Sequence, residues 1–220
     1  MNVRLPSTPA ALLCAGVAAI VILSGCSSTQ LHSDDKVQNL SLSGRDLRAN
    51  SIAFLTPSTN TGAEEDKQAL ALVFCDALHS LHPEQRIETL PQALSAVNGA
   101  GFADRYQRMF QSYRETGIFE KGLLRQLSQI TGSRYIAQLK LEGFRQDSKD
   151  RFGILGLRLM ETKSADVRVF LQIWDGQNGV IAWEGTEEMT VSHETVTENT
   201  IPFKQAVQEA ANKLLAQLPQ

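Results

Sequence analysis

The sequence predicts an α/β domain: a mixed sheet of about five strands covered by helices, ending in a strand hairpin and a C-terminal helix. Three observations predict it. Short apolar or alternating runs near residues 51–55, 135–144 and 165–173 have the two-residue period of strands. Apolar stripes within 70–81, 102–130 and 203–218 have the helical period. The two kinds of segment are interleaved along the chain, which favours helices laid on a sheet.

Ahead of the domain lies a secretory signal. Arg4 stands in a short polar start, an apolar run follows from Ala10 to Leu23, and Leu23-Ser24-Gly25-Cys26 closes it as a lipobox. About fourteen apolar residues are too few to cross a bilayer core, which needs roughly twenty. Residues 1–25 are therefore expected to be removed, leaving Cys26 to carry fatty acids such as palmitate on its thiol and new amino terminus. Two or more acyl chains hold a protein stably on a membrane, at about 0.8 kcal/mol per buried methylene. In the bacterial lipoproteins that this segment resembles, an Asp directly after the cysteine retains the protein in the inner membrane. Ser27 and Ser28 follow here, so the resemblance implies the periplasmic face of the outer membrane.

Residues 26–50 are polar without a sustained apolar period and are expected to form a tether, spanning roughly 25 to 30 Å as a coil. The domain is expected to occupy 51–220. Ser51 to Leu55 reads as a buried strand stopped by Pro57. Thr61 and Glu64 have capping-box spacing, and Leu70, Phe74, Ala77, Leu78 and Leu81 form the stripe of the helix that follows. A strand is expected near Arg86 to Leu90, then a helical stretch opened by Pro91. Phe102, Tyr106, Phe110 and Tyr113 mark one helix and Phe119, Leu123, Leu127 and Ile130 another, separated by Gly117 and ended by Gly132. Tyr135 to Phe144 alternates as a half-buried strand. Ala165 to Ile173 and a strand from Val180 form a hairpin around Asp175 to Gly179. The last helix sets Phe203, Val207, Ala210, Leu214 and Leu218 on one face, with Pro202 in its first turn.

The chain has 21 Lys and Arg against 24 Asp and Glu. Loss of Arg4 with the signal leaves 20 against 24, a mildly acidic protein without the clustered positive charge that nucleic acid requires. Of three cysteines, Cys14 leaves with the signal and Cys26 is acylated, so Cys75 has no partner for an intrachain disulfide; beside Phe74 and Leu78 it reads as a small hydrophobe.

Several constellations fail on their own chemistry. Ser58 to Gly62 occupies the place of a phosphate loop but lacks its glycines and lysine, and Glu64, Glu65 and Asp66 would repel the anion. Gly99-Ala100-Gly101 lacks the third glycine of a dinucleotide fingerprint. His79 and His82 have metal-ligand spacing without an evident third ligand, while His32 and His193 stand beside no nucleophile. No Gly-x-Ser-x-Gly elbow occurs. Glu184, Glu187 and Glu188 are acidic enough for glycoside chemistry, but on a hairpin such residues are expected to form a solvated face. No catalytic residue, metal or cofactor is assigned.

The segment Phe152 to Met160 is apolar on both alternation faces between the polar runs 146–151 and 161–164. It is either a core strand or a hairpin arm covered by something outside the domain. Gly153, Gly156 and Arg158 suit a central strand poorly, which makes Phe152, Ile154, Leu155, Leu157 and Leu159 the candidate partner-binding residues. The run is too short for two membrane-spanning strands and a turn.

The lipobox, the runs Ile52 to Asn60 and Gly132 to Gly143, and Val169 to Glu184 together resemble the lipoproteins with a CsgG-like or TolB-N-terminal-like domain. That group includes the curli secretion channel and activators of peptidoglycan synthases. The resemblance implies a non-enzymatic domain that binds an envelope protein partner. Its alternative is a homo-oligomeric envelope assembly or secretion pore, and a third is an envelope enzyme.

The lipobox reading predicts that Cys26→Ala leaves an unprocessed precursor that incorporates no labelled palmitate, because the thiol is the acyl acceptor on which cleavage depends. Recovery of that variant as a mature, detergent-extractable membrane protein would sink the reading.

Overall fold

The computed structural model describes residues 29–59, 64–154, 157–195 and 200–220. Among them the strands are β1 (Thr29–Asn39), β2 (Ile52–Phe54), β3 (Ser58–Thr59), β4 (Ile87–Glu88), β5 (Tyr135–Ile154), β6 (Leu157–Asp175) and β7 (Val180–Thr195). The helices are α1 (Gly44–Ala49), α2 (Glu64–Leu81), α3 (Leu90–Gly99), α4 (Ala103–Thr116), α5 (Lys121–Thr131) and α6 (Phe203–Leu215). The sheet order is β1-β7-β6-β5-β2-β4, with β3 also on β5. Strands β2, β3 and β4 pair in parallel, while β5, β6, β7 and β1 form an antiparallel meander.

The α/β class is as expected, but the sheet has seven strands rather than about five. One addition, β3, is two residues long and carries no period. The other, β1, falls inside the stretch expected to be a tether. From Thr29 onward that stretch is ordered structure: β1 pairs with β7 in an unbroken register from Thr29↔His193 to Asn39↔Trp183. Strand β1 is hidden from pattern reading because it is an edge strand exposed along nearly its whole length, so no alternation marks it. Helix α1 follows, capped by Ser43, whose hydroxyl accepts from the Asp46 amide at 3.1 Å, and it buries Leu47.

The meander obeys the two-residue period closely. On one face Ala137, Leu139, Leu141, Val167, Val169, Leu171, Trp183, Met189 and Val191 pack against Phe74 and Leu78 of α2 and Val207, Ala210 and Leu214 of α6. Gly185 lets α6 approach, since a Cβ there would lie 2.8 Å from Leu214 Cδ1 and 2.7 Å from the Trp183 ring. On the other face a smaller core joins Ile136 and Trp174 to Met109, Tyr113, Phe119, Leu124 and Leu127 from α4, α5 and the loop between them. Tyr113 stacks on Phe119 at 4.3 Å, and Phe119 meets Trp174 edge-on at 5.3 Å. Gly117 and Gly132 end α4 and α5 with φ of 74° and 66°, the left-handed caps that the sequence indicates. The proposed cap residue of α2, Thr61, lies outside the described residues.

The turn between β6 and β7 is organised by Asp175. Its Oδ1 accepts from the amides of Gln177 at 2.9 Å and Asn178 at 3.1 Å, and its Oδ2 pairs with Arg134 at 2.9 Å. Partial burial pushes this carboxyl up, but the Arg134 guanidinium and the turn amides outweigh it and hold Asp175 below the usual carboxylate range.

Cys75 is a free thiol inside the larger core, as the residues around it indicate. Burial, and then the Asp76 carboxylate, push it up to about 12, so it carries almost no thiolate at neutral pH. Glu187 departs from expectation. Glu184 and Glu188 lie on the polar face, but Glu187 points the other way and is fully buried, opposite Asp35 of β1. Neither of its oxygens has a hydrogen-bond partner in the structure. The Ser33 hydroxyl, which accepts from Lys213 Nζ at 2.6 Å, lies close enough to favour the charge. Burial first, then Asp35, push Glu187 up to about 7, against the pull of Lys213.

Because the folded state holds this proton above the ordinary carboxylate range, stability falls as pH rises from about 4.5 to about 7. Glu187→Gln removes the titration. In denaturant melts the variant is expected to gain on the wild type across that window by up to about 3 kcal/mol, and a constant difference between the two would refute the assignment. For Cys75, thiol reagents at pH 8 are expected to leave the folded mature protein unmodified and to label it once denatured; rapid labelling of the native state would contradict the burial.

Candidate functional site

Helices α3 to α5 cover the second sheet face only around Ile136 and Trp174, near the start of β5 and the end of β6. Further along the strands that face carries polar side chains, placed together by the even-numbered alternation. Lys140 and Glu142 come from β5, Arg168, Phe170 and Gln172 from β6, and Glu184, Thr186 and Glu188 from β7. With Ser58 and Thr59 of β3 and Tyr113 and Arg114 of α4, most of these residues line a cleft of about 570 Å³.

Charges on this face form a chain. Lys140 Nζ lies 3.1 Å from Glu142 Oε1, Glu142 Oε2 lies 3.0 Å from Arg168 Nε, and Arg168 Nε lies 3.7 Å from Glu188 Oε2. Arg168 and Glu188 remain 54% and 65% exposed, so these pairs are worth little to stability and remain available to a ligand. Deeper in the cleft Gln172 is a junction. Its Oε1 accepts from Tyr113 Oη at 3.0 Å and Trp174 Nε1 at 3.2 Å, and its Nε2 donates to Glu184 Oε2 at 3.1 Å. Burial, then the Glu184 carboxylate, push the Tyr113 phenol up to about 12, so it stays a neutral donor. Ser58 Oγ and Thr59 Oγ1 line the cleft without a hydrogen-bond partner in the structure. Beyond Arg168 the surface continues as a shallower groove, where Thr190 Oγ1 donates to Asp166 Oδ1 at 2.7 Å.

This arrangement can recognise a polar surface through paired charges and amide and hydroxyl groups around one partly buried aromatic, Phe170. A second cleft lies at the opposite end of the strands, where Arg86, Arg125 and Arg134 meet. Each guanidinium is occupied there: Arg86 donates to Ala49 O at 2.8 Å, Arg125 to Gln177 O at 3.1 Å, and Arg134 to Asp175.

The residues singled out from the sequence fall elsewhere. Cys26 and Leu155 lie outside the described residues. Phe152 and Ile154 belong to β5 and Leu157 and Leu159 to β6, where the backbone pairs Phe152↔Met160 and Ile154↔Leu157 close a hairpin well past the open face. His79 is exposed, His82 is buried with Nε2 unpartnered, and no group of three potential metal ligands converges among the described residues. The open face was not foreseen as a site. The available signal was the polar half of the alternation, Lys140, Glu142, Arg168, Gln172, Glu184 and Glu188, which becomes a site only once the register aligns the three strands.

No family model matches the chain, and no curated protein matches it. Among solved structures it is similar to the PelC dodecamer from Paraburkholderia phytofirmans, at 12% identity over 87% of this chain and 99% of that one, with a TM-score of 0.48. It is also similar to a lipoprotein from Neisseria meningitidis, at 14% identity over 69% and 86% of the two chains and a TM-score of 0.36. The C-terminal domain of LpoB from Salmonella enterica is a third, at 14% identity over 63% and 81%, with a TM-score of 0.35.

Proposed function

We propose that this protein is an outer-membrane lipoprotein whose α/β domain binds a protein partner of the cell envelope through the open face of the β5–β6–β7 meander, without catalysing a reaction. The observation that carries the proposal is that face itself. Helices α2 and α6 cover one side of the central meander, whereas α3 to α5 cover the other only near Ile136 and Trp174, and the uncovered part holds a connected set of charges around Phe170. A non-enzymatic role is supported by what the face offers: hydrogen-bonding and ionic groups, most of them paired with one another along Lys140, Glu142, Arg168 and Glu188 and around Gln172. The lipobox supports the envelope address.

A photocrosslinking residue at Thr186 is expected to trap a partner in intact cells, whereas one at Leu72, exposed at 57% on α2, is not. Arg168→Glu sets a third acid beside Glu142 and Glu188 and is expected to abolish the Thr186 crosslink. The melting temperature should hardly change, since exposed charge substitutions usually fall within about 0.5 kcal/mol. Equal crosslinking from both positions, or a Thr186 crosslink indifferent to Arg168→Glu, would remove the open face from consideration.

A further inference from the structure

We propose that the arginine cleft at the N-terminal ends of the parallel strands binds a small molecule through its phosphate monoester. This site is separate from the open face and does not depend on it. Strand register brings it together. Ile52 pairs with Ile87 on one side and with Tyr135 on the other, so the residues just before them, Arg86, Ser51 and Arg134, enter the sheet in one row. Neighbouring strands lie about 4.8 Å apart, which sets the two arginine backbones only about 10 Å from each other. Arg125 reaches the same place from α5, and the three arginines line a cleft of about 570 Å³ together with Ser133.

The fold fixes these guanidiniums without using them up. Each has five N–H donors. Arg86 Nη2 donates to Ala49 O at 2.8 Å, Arg125 gives Nε and Nη2 to Gln177 O at 3.2 and 3.1 Å, and Arg134 gives Nε and Nη2 to Asp175 Oδ2 at 3.3 and 2.9 Å. Nε and Nη1 of Arg86 and Nη1 of Arg125 make no hydrogen bond among the described residues. Nor do the arginines cap α5, whose last carbonyls are already taken. Leu127 O accepts from Thr131 Oγ1, Ser128 O from the Ser133 amide and Gln129 O from the Gly132 amide.

Two features of the cleft call for an anion. Its three cations face two carboxylates that are shared with other groups: Asp175 with the turn amides of Gln177 and Asn178, and Asp46, 4.0 Å from Arg134 Nη1, with the Ser43 hydroxyl. One positive charge is left in excess. The second feature is Ser133, which lines the cleft, is 1% exposed, and has no hydrogen-bond partner for its Oγ in the structure. A buried hydroxyl without a partner destabilises a fold, and an oxygen of the ligand supplies that partner. A phosphate monoester suits this set better than a carboxylate does. It carries about −1.5 to −2 charges and three acceptor oxygens, enough to meet guanidiniums arriving from β4, β5 and α5 together, whereas the two oxygens of a carboxylate are filled by a single fork.

The test is thermal melting of the full-length mature protein in a neutral detergent, with inorganic phosphate or acetate replacing chloride at constant ionic strength. Phosphate is expected to raise Tm along a saturating curve, as a ligand of the folded state does by mass action, and acetate to raise it far less. Arg86→Gln and Arg125→Gln should each shift the midpoint of that curve to about tenfold higher phosphate, the loss of one hydrogen bond to a charged group. Arg108→Gln, at an exposed position of α4 outside the cleft, should leave it unchanged. Ser133→Ala is expected to melt no lower than the wild type without phosphate and to respond to phosphate more weakly. A response that does not saturate, or that both Arg86→Gln and Arg125→Gln retain, overturns the proposal. An equal response to acetate overturns it too, because the cleft would then be a carboxylate site. If Ser133→Ala lowers Tm and keeps the full response, the hydroxyl serves the fold and the site as drawn is wrong.

Discussion

The structure depends on one constraint: the two-residue period of three long, adjacent strands, held in register across β5, β6 and β7. With the strands locked together, the odd-numbered positions of β5 from Ala137 to Leu141, of β6 from Ala165 to Ile173 and of β7 from Trp183 to Val191 face α2 and α6; a shift between Leu141 and Gly143 turns Phe144 to that face further along β5, and the register slips again at Trp174, where Ala182 is set out of step. The carbonyl of Ala182 then accepts the amides of Leu40, Ser41 and Leu42, so the irregularity also fixes where β1 ends and α1 begins. A one-residue slip anywhere else would exchange the apolar and charged faces, exposing Val167, Val169 and Leu171 and burying Arg168. The larger core and the open face are thus consequences of the same register.

That constraint explains why much of the fold can be read from the sequence. Segments with one buried face declare themselves: α2, α4, α5, α6 and the central parts of β5, β6 and β7 all carry a stripe or an alternation. Elements without a buried face do not. Strand β1 has Asp34, Asp35 and Lys36 in its middle because an edge strand is kept from pairing with other molecules by charge, and those residues are the reason it resembles a linker. The open face was illegible for a related reason. Lys140, Arg168 and Glu188 are ordinary solvent-facing residues in their own strands and become a connected chain of charge only after β5, β6 and β7 are aligned.

Glu187 shows the period overriding chemistry. Three acids close together in sequence look like one acidic surface, yet Glu184 and Glu188 differ in parity from Glu187 and so occupy the other face. The cost of burying it is limited by protonation, since burial and Asp35 push the group up to about 7. Its setting ties the edge to the body of the domain: Asp35 and Ser33 come from β1, and Lys213, which holds Ser33, comes from α6. Strand β1, which follows Cys26 closely in sequence, is therefore attached to the sheet by backbone pairing and to α6 by a side-chain contact next to a buried acid.

Orientation completes the connection from sequence to function. On the proposed acylation of Cys26, only Ser27 and Ser28 separate the lipidated residue from β1, so the domain would not swing on a long coil and the strand direction would become the axis along which the protein stands. Strand β5 is twenty residues long, so its first residue, Tyr135, lies about 60 Å from the hairpin end at roughly 3.3 Å per residue. The arginine cleft at Arg86, Arg125 and Arg134 occupies that remote end. The open face lies between the two, in the span of β6 from Asp166 to Gln172. A partner bound there would sit beside the domain and within tens of ångströms of the lipid surface, where a tethered coil of residues 26–50 would have left both its height and its facing direction undetermined.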